Sequence, residues 1–137
     1  MIGYVTVGTN NKDKALKFYD ELFKVIGIGR LWETEQFTSY GTDIMAPQLS
    51  VTLPYDGKPA TAGNGTMVAI FVDSTDKVNA LHKKAVELGA KDEGAAGARG
   101  EGGFYAGYFR DLDGNKLNVF TITKDMSEFV DEAAKKG

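Results

Sequence analysis

The sequence predicts an α+β fold built from two tandem copies of one strand–helix–strands unit. Three observations predict it. An alternating run, Tyr4 to Thr9 ("YVTVGT"), leads into a helix with one apolar stripe. The same order returns at "MVAIFV" and "TDKVNALHKKAVELG". Sliding the chain by 63 residues (67 minus 4) brings Met67 onto Tyr4, Ser74 onto Asn11, Leu81 onto Phe18 and His82 onto Tyr19. Each unit is too small to bury its sheet alone, so the two must pack together or pair with another chain.

In the first strand Val5 and Val7 share one face, and Tyr4 and Thr6 the other. Asn10-Asn11 signals a helix start. Ala15, Phe18, Tyr19, Leu22 and Ile26 then recur at helical spacing, and Gly27 and Gly29 end the helix. Short strands are expected at Arg30–Glu33, Gln36–Tyr40 and Leu49–Leu53, with a turn at Gly41-Thr42-Asp43. "PYDGKPATAGNG" reads as a linker. Asp73-Ser74 starts the second helix, whose stripe is Val78, Leu81, Ala85 and Leu88, and Gly89 closes it. "GAAGARGEGG", Gly94 to Gly103, holds five glycines in ten residues and reads as a mobile loop, a flexible rim. "FYAGYF" and "KLNVFTI" are strands joined by "RDLDGN", whose Asp113-Gly114 marks a hairpin turn. Met126, Phe129, Val130 and Ala133 predict a short C-terminal helix over 126–136. The chain is thus one domain, 1–137, with module one at 1–57 and module two at 65–123.

Composition narrows the function. The 137 residues are 42% hydrophobic and 26% charged, a globular balance. The net charge of −3 gives no pull toward nucleic acid or an anionic membrane. Cysteine is absent, which removes disulfides, thiolate metal sites and a cysteine nucleophile. No signal peptide and no run of ~18 apolar residues is found, so a cytoplasmic location is expected. With one histidine, His82, no mononuclear site of two or three histidines can form within one chain. His82 sits at the edge of a helical apolar stripe and reads as a packing residue. "DGKPAT" is no phosphate loop, because Pro59 stands where Ser or Thr should follow Gly-Lys.

"VTVGTNNKDKALKFYDELF", "DGKPATAGNGTMVAIFV" and "GFYAGYFRDLDGNKL" resemble the glyoxalase / bleomycin resistance protein / extradiol dioxygenase family, the vicinal oxygen chelate superfamily. The resemblance covers about residues 2–123. It implies two βαβββ modules forming a cup-like open barrel with helices outside, and a small molecule in the cup. In metal-using members the first and last strands of both modules supply His, Gln or Glu ligands. Carried over, the first-strand positions fall on Tyr4 and Met67, and the last strand of module two offers Asn118. The module-one counterpart lies within Gln48 to Tyr55, where only Gln48 is a plausible neutral oxygen ligand. A phenol, a thioether and amides are poor donors for a divalent ion. No metal or other cofactor is therefore expected, although the family implies one.

The expected cup residues are Tyr4, Thr6, Gln48, Met67, Ala69, Phe71, Tyr105, Tyr108, Arg110 and Asn118. Alternation sends the valines of the first strands toward the helices and leaves Tyr4, Thr6, Met67, Ala69 and Phe71 for the cup. Tyr105, Tyr108 and Phe109 cannot all face the cup, but either face supplies an aromatic for stacking. Arg110 either holds a ligand carboxylate or phosphate, or pairs with Asp111 or Asp113. Three functions follow. The first is metal-free binding of a small organic molecule, as in bleomycin resistance. The second is a metal-dependent lyase, isomerase or dioxygenase resembling lactoylglutathione lyase. The third is a ferredoxin-like regulatory or assembly module. Relatives of this kind pair, so a homodimer is expected.

Overall fold

The structure is a computed structural model and describes residues 1–124. The elements run β1 Tyr4–Gly8, α1 Lys12–Lys24, β2 Gly29–Glu33, β3 Phe37–Gly41, β4 Gln48–Thr52, β5 Val68–Phe71, α2 Thr75–Glu87, β6 Lys91–Ala98, β7 Phe104–Arg110 and β8 Lys116–Ile122. They form two four-stranded sheets, ordered β1-β4-β3-β2 and β5-β8-β7-β6. Within each sheet the first-to-last strand pair is parallel and the others antiparallel. The C-terminal helix expected at 126–136 lies outside the described residues.

The repeat holds residue by residue through the helices, since α1 and α2 are both 13 residues long and offset by 63 (75 minus 12). The Asn11 side chain accepts a hydrogen bond from the Lys14 amide at 3.1 Å, and Ser74 does the same for Lys77 at 3.2 Å, so each helix start is capped. Ala15, Phe18, Tyr19 and Leu22 are buried, as are their repeat mates Val78, Leu81, His82 and Ala85. Burying each large apolar chain is worth about 1.5–3 kcal/mol, and these stripes join one core that spans both modules.

The repeat then shifts. Thr6 pairs with Ser50 and Ala69 with Asn118. The first members differ by 63 and the second by 68 (118 minus 50), so module two has gained five residues. The gain is centred on the β6–β7 hairpin, whose strands are 8 and 7 residues long against 5 and 5 for β2 and β3 and whose connection is longer too. This corrects the reading of "GAAGARGEGG" as a mobile loop. Its first half is the end of β6, a strand with two irregularities in its pairing to β7.

A latch joins the modules. The Tyr19 hydroxyl donates to Asp111 Oδ2 at 2.6 Å. The Asn10 amide donates to Asp113 Oδ1 at 2.9 Å, and Asn115 Nδ2 donates to the Gly8 carbonyl at 2.8 Å. The linker is pinned to the same place, with Asn10 and Ala60 exchanging bonds of 3.1 and 2.6 Å. Among the described residues no backbone pairing joins the two sheets, so the barrel is open. Each of α1 and α2 packs on one face of its own sheet.

Candidate functional site

Strand pairing fixes what stands on the open face of each module. In module one it carries Tyr4 and Thr6 from β1, Gln48 and Ser50 from β4, Ser39 and Phe37 from β3, and Trp32 from β2. Its centre is a polar network. Ser39 donates to Gln48 Oε1 at 2.6 Å, Trp32 Nε1 donates to the same oxygen at 3.2 Å, and Ser50 donates to Ser39 at 3.0 Å. Gln48 Nε2 donates to the Ile44 carbonyl at 2.9 Å. The amide oxygen of Gln48 therefore accepts two bonds, and its nitrogen donates one of its two N–H groups. Trp32 also meets Phe37 edge to face at 4.7 Å, and Tyr4 is 61% exposed.

In module two the open face carries Met67, Ala69 and Phe71 from β5, Lys116, Asn118 and Phe120 from β8, and Tyr108, Phe104 and Arg110 from β7. Phe71, Phe120 and Phe104 form a row, with ring centres 5.6 and 5.4 Å apart at its two contacts. Phe71 is 62% exposed and Met67 is 40% exposed. Asn118 is 1% exposed, and its Oδ1 is buried with no hydrogen-bond partner among the described residues. Lys116 Nζ and the Arg99 guanidinium lie 5.6 and 5.5 Å from the centre of the Tyr108 ring.

Of the expected cup residues, Tyr4, Thr6, Gln48, Met67, Ala69, Phe71, Tyr108, Arg110 and Asn118 fall on open faces. Tyr105 does not. It is on the helix side, where its hydroxyl donates to Asn79 Oδ1 of α2 at 2.6 Å. Arg110 is engaged within the module: Nε donates to Glu93 at 2.5 Å and Nη1 to the Gly114 carbonyl at 2.9 Å. Its partner is Glu93, on the unrecognised β6, rather than Asp111 or Asp113. Gln48, Met67, Ala69 and Phe71 also border a largely apolar cleft of about 600 Å3. Ile2, Val5, Phe23, Ile28, Tyr40 and Leu49 of module one line the cleft as well.

His82 packs between α2 and the sheet, with Nε2 3.2 Å from both Asp92 Oδ1 and the Tyr108 carbonyl oxygen. Gly107 makes that packing possible, because a Cβ there would lie 2.8 Å from the imidazole. Asp111 is the buried carboxylate of the latch. Burial pushes its pKa above the ordinary value, against the bonds it accepts from Tyr19, Asn115 and the Asp113 amide. Tyr19 is raised too, first by its own burial and then by the Asp111 charge.

The register also settles the last-strand position of module one. Ser50, not Gln48, is the counterpart of Asn118. The carried-over set is then Tyr4, Ser50, Met67 and Asn118: a phenol, a hydroxyl already bonded to Ser39, a thioether and an amide. Among the described residues no group of three His, Cys, Asp or Glu side chains is gathered as a metal site. Also among the described residues, no helix is long and apolar enough to cross a membrane.

Sequence reasoning missed Lys116, Trp32 and the place of Arg99. Lys116 was legible, since it stands two residues before Asn118 on the same strand face. Arg99 was not, because its seat depends on β6. A Cβ on Gly94 would meet both the Arg99 guanidinium and the Tyr108 ring at 3.3 Å, so the glycine leaves room for that stack.

A family model described as the Glyoxalase/Bleomycin resistance protein/Dioxygenase superfamily matches residues 1–119. A crystal structure of a glyoxalase/bleomycin resistance protein from Albidiferax ferrireducens is 32% identical, with a TM-score of 0.79 over 88% of this chain and 98% of that one. A glyoxalase-related enzyme from Fulvimarina pelagi is 21% identical, with a TM-score of 0.69 over 88% and 87% of the two chains. Lactoylglutathione lyase from Agrobacterium tumefaciens is 20% identical, with a TM-score of 0.62 over 88% and 92%. The last two likenesses speak for the fold alone. No curated protein sequence matches.

Proposed function

The chain belongs to the glyoxalase/bleomycin resistance protein/dioxygenase superfamily, and from that premise we propose that it binds a small organic molecule in its cup without a metal. The donor chemistry carries this reading. None of Tyr4, Ser50, Met67 and Asn118 offers an imidazole or a carboxylate. A zinc, nickel or manganese ion takes nitrogen or oxygen donors, and anionic ones offset its charge. Gln48, the other neutral oxygen in reach, already accepts two hydrogen bonds. The residues do not fit a divalent ion, and no catalytic step is derived through one.

What they do fit is an organic ligand. Exposed Tyr4, Trp32, Met67 and Phe71 offer ring and thioether surface on the faces opposite α1 and α2. The same exposure supports a homodimer, because β1 and β5 are sheet edges and large apolar side chains beside open edges favour pairing. A cytoplasmic address goes with this reading. The assembly-module alternative lies outside the family and is not taken further.

Two measurements test the proposal. Elemental analysis of protein purified without chelator should find no stoichiometric nickel, zinc, iron or manganese. A thermal-shift panel of planar aromatic compounds should contain members that raise the melting temperature, since binding to the native state stabilises it. One metal per chain surviving dialysis overturns the metal-free part, and a panel with no stabilising member overturns the cup. Size-exclusion chromatography with light scattering checks the dimer.

A further inference from the structure

The open face of module two is polarised from one end to the other. The ring row of Phe71, Phe120 and Phe104 occupies one end. Lys116 occupies the other, and the Arg99 guanidinium reaches back from beside Phe104 to the Tyr108 ring. Lys116 and Phe120 stand on the same strand face, four residues and therefore ~13 Å apart along β8. Asn118 lies between them.

The cationic end holds more cations than anions. Among the described residues the Lys116 ammonium makes no hydrogen bond or ion pair within 4 Å; it lies over the Tyr108 ring, and its charge reaches the Glu93 carboxylate. Arg99 donates only to neutral backbone carbonyls, those of Gly97 at 2.9 Å and Ala95 at 2.6 Å. Glu93 of β6 bonds to Arg110, so this one carboxylate is shared between Arg110 and the charge of Lys116. Two cations at one phenol ring repel each other and attract a negative group. The second sign of a missing ligand is the Asn118 carbonyl, buried and unbonded, at a cost of about 1–3 kcal/mol. An N–H from a ligand would relieve it once the flexible side chains around it part.

Resting on the metal-free cup reading above, we propose that module two takes an amphipathic carboxylate. The aromatic or apolar body lies on the phenylalanine row, the carboxylate sits beside the Tyr108 ring within the field of Lys116 and Arg99, and an amide N–H linking the two points at Asn118. The recognising elements are ring surface, the field of two cations and one buried acceptor.

The test uses hippurate (benzoylglycine), its uncharged methyl ester and ring-free acetylglycine, titrated into full-length isotope-labelled protein and followed by NMR. Hippurate is expected to bind at least tenfold more tightly than either control, to weaken with added salt, and to shift the Asn118 side-chain amide signal. Lys116→Met, on a partly exposed side chain, should lower hippurate affinity about tenfold and leave the ester unchanged. The ester bound as tightly as the acid, or a preference for the acid that survives Lys116→Met, overturns this inference and leaves the cup reading standing. If neither these probes nor any compound of the aromatic panel binds, both fall.

Discussion

Tyr19→Phe removes one hydroxyl and tests whether the latch holds the two modules together. The Tyr19 hydroxyl donates to Asp111 at 2.6 Å, and both residues are buried. A hydrogen bond to a charged group is worth about 1.5–3 kcal/mol. Asp111 keeps three other donated bonds, from the Asn115 amide, Asn115 Nδ2 and the Asp113 amide, so its charge is not stranded. The loss at neutral pH should therefore be about 2 kcal/mol. In a chain of this size that lowers the melting temperature by roughly 5–12 °C. The effect should also depend on pH. Burial raises the Asp111 pKa in the folded state, so as pH falls through that raised value the carboxyl takes a proton and the charge-assisted part of the bond is lost. The melting temperatures of the wild type and the Tyr19→Phe variant should converge in mild acid. Circular dichroism melts of both proteins across neutral and acidic pH measure this. A difference below ~2 °C at neutral pH, or one of the same size after Asp111 is protonated, would refute the reasoning.

Three further outcomes follow from the same structure. Gly107→Ala places a Cβ 2.8 Å from the His82 imidazole and should destabilise by about 1–3 kcal/mol in denaturant melts, while Gly29→Ala, with open space around it, should not move the midpoint through packing. The hydrogen bond from Arg30 holds the Asp20 carboxyl below its ordinary pKa. That stability is present above the unfolded value of about 4 and is lost as pH falls through the folded one, so Asp20→Asn should flatten the acid side of the stability curve. Because the pair is more than a third exposed, the change is about 0.2–1 kcal/mol. Gln48→Leu leaves the Ser39 and Trp32 donors without their acceptor and should cost about 1–3 kcal/mol; fluorescence of Trp32, the only tryptophan, reports the local change.

The helices were legible almost to the residue because their signals are local. Asn11 and Ser74 are side-chain acceptors placed before the first apolar turn, and the stripes that follow keep helical spacing. The strand β8 was equally plain as "KLNVFTI". The strand β6 was not. Glycine and alanine carry no alternation, so "GAAGA" gives no period to read, yet its backbone pairs with β7 whatever its side chains are. Missing it cost the partner of Arg110 and the seat of Arg99. Alternation said that neighbouring tyrosines face opposite ways, but not which one faces the cup. That parity is set by pairing with β8, where Tyr108 opposes Asn118 and Tyr105 opposes Thr121. Gln48 was chosen on chemistry alone, and the register, which spans two distant segments, moved the position to Ser50.

The two modules share one scaffold and have used it differently. In module one every polar group at the centre of the open face has its partner: Gln48 takes Ser39 and Trp32, and Ser50 gives to Ser39. Such a network resists change, because breaking any bond strands a buried group. That makes module one a wall. Among the described residues module two leaves a buried carbonyl unbonded, a ring 62% exposed and an ammonium over a phenol ring without a hydrogen bond. Each is a standing cost that a ligand can remove. The five extra residues fall in the β6–β7 hairpin that carries Gly94 and Arg99, while α2 keeps its register with α1. A change confined to a sheet edge alters what the face can bind without disturbing the helix packing that holds the modules together.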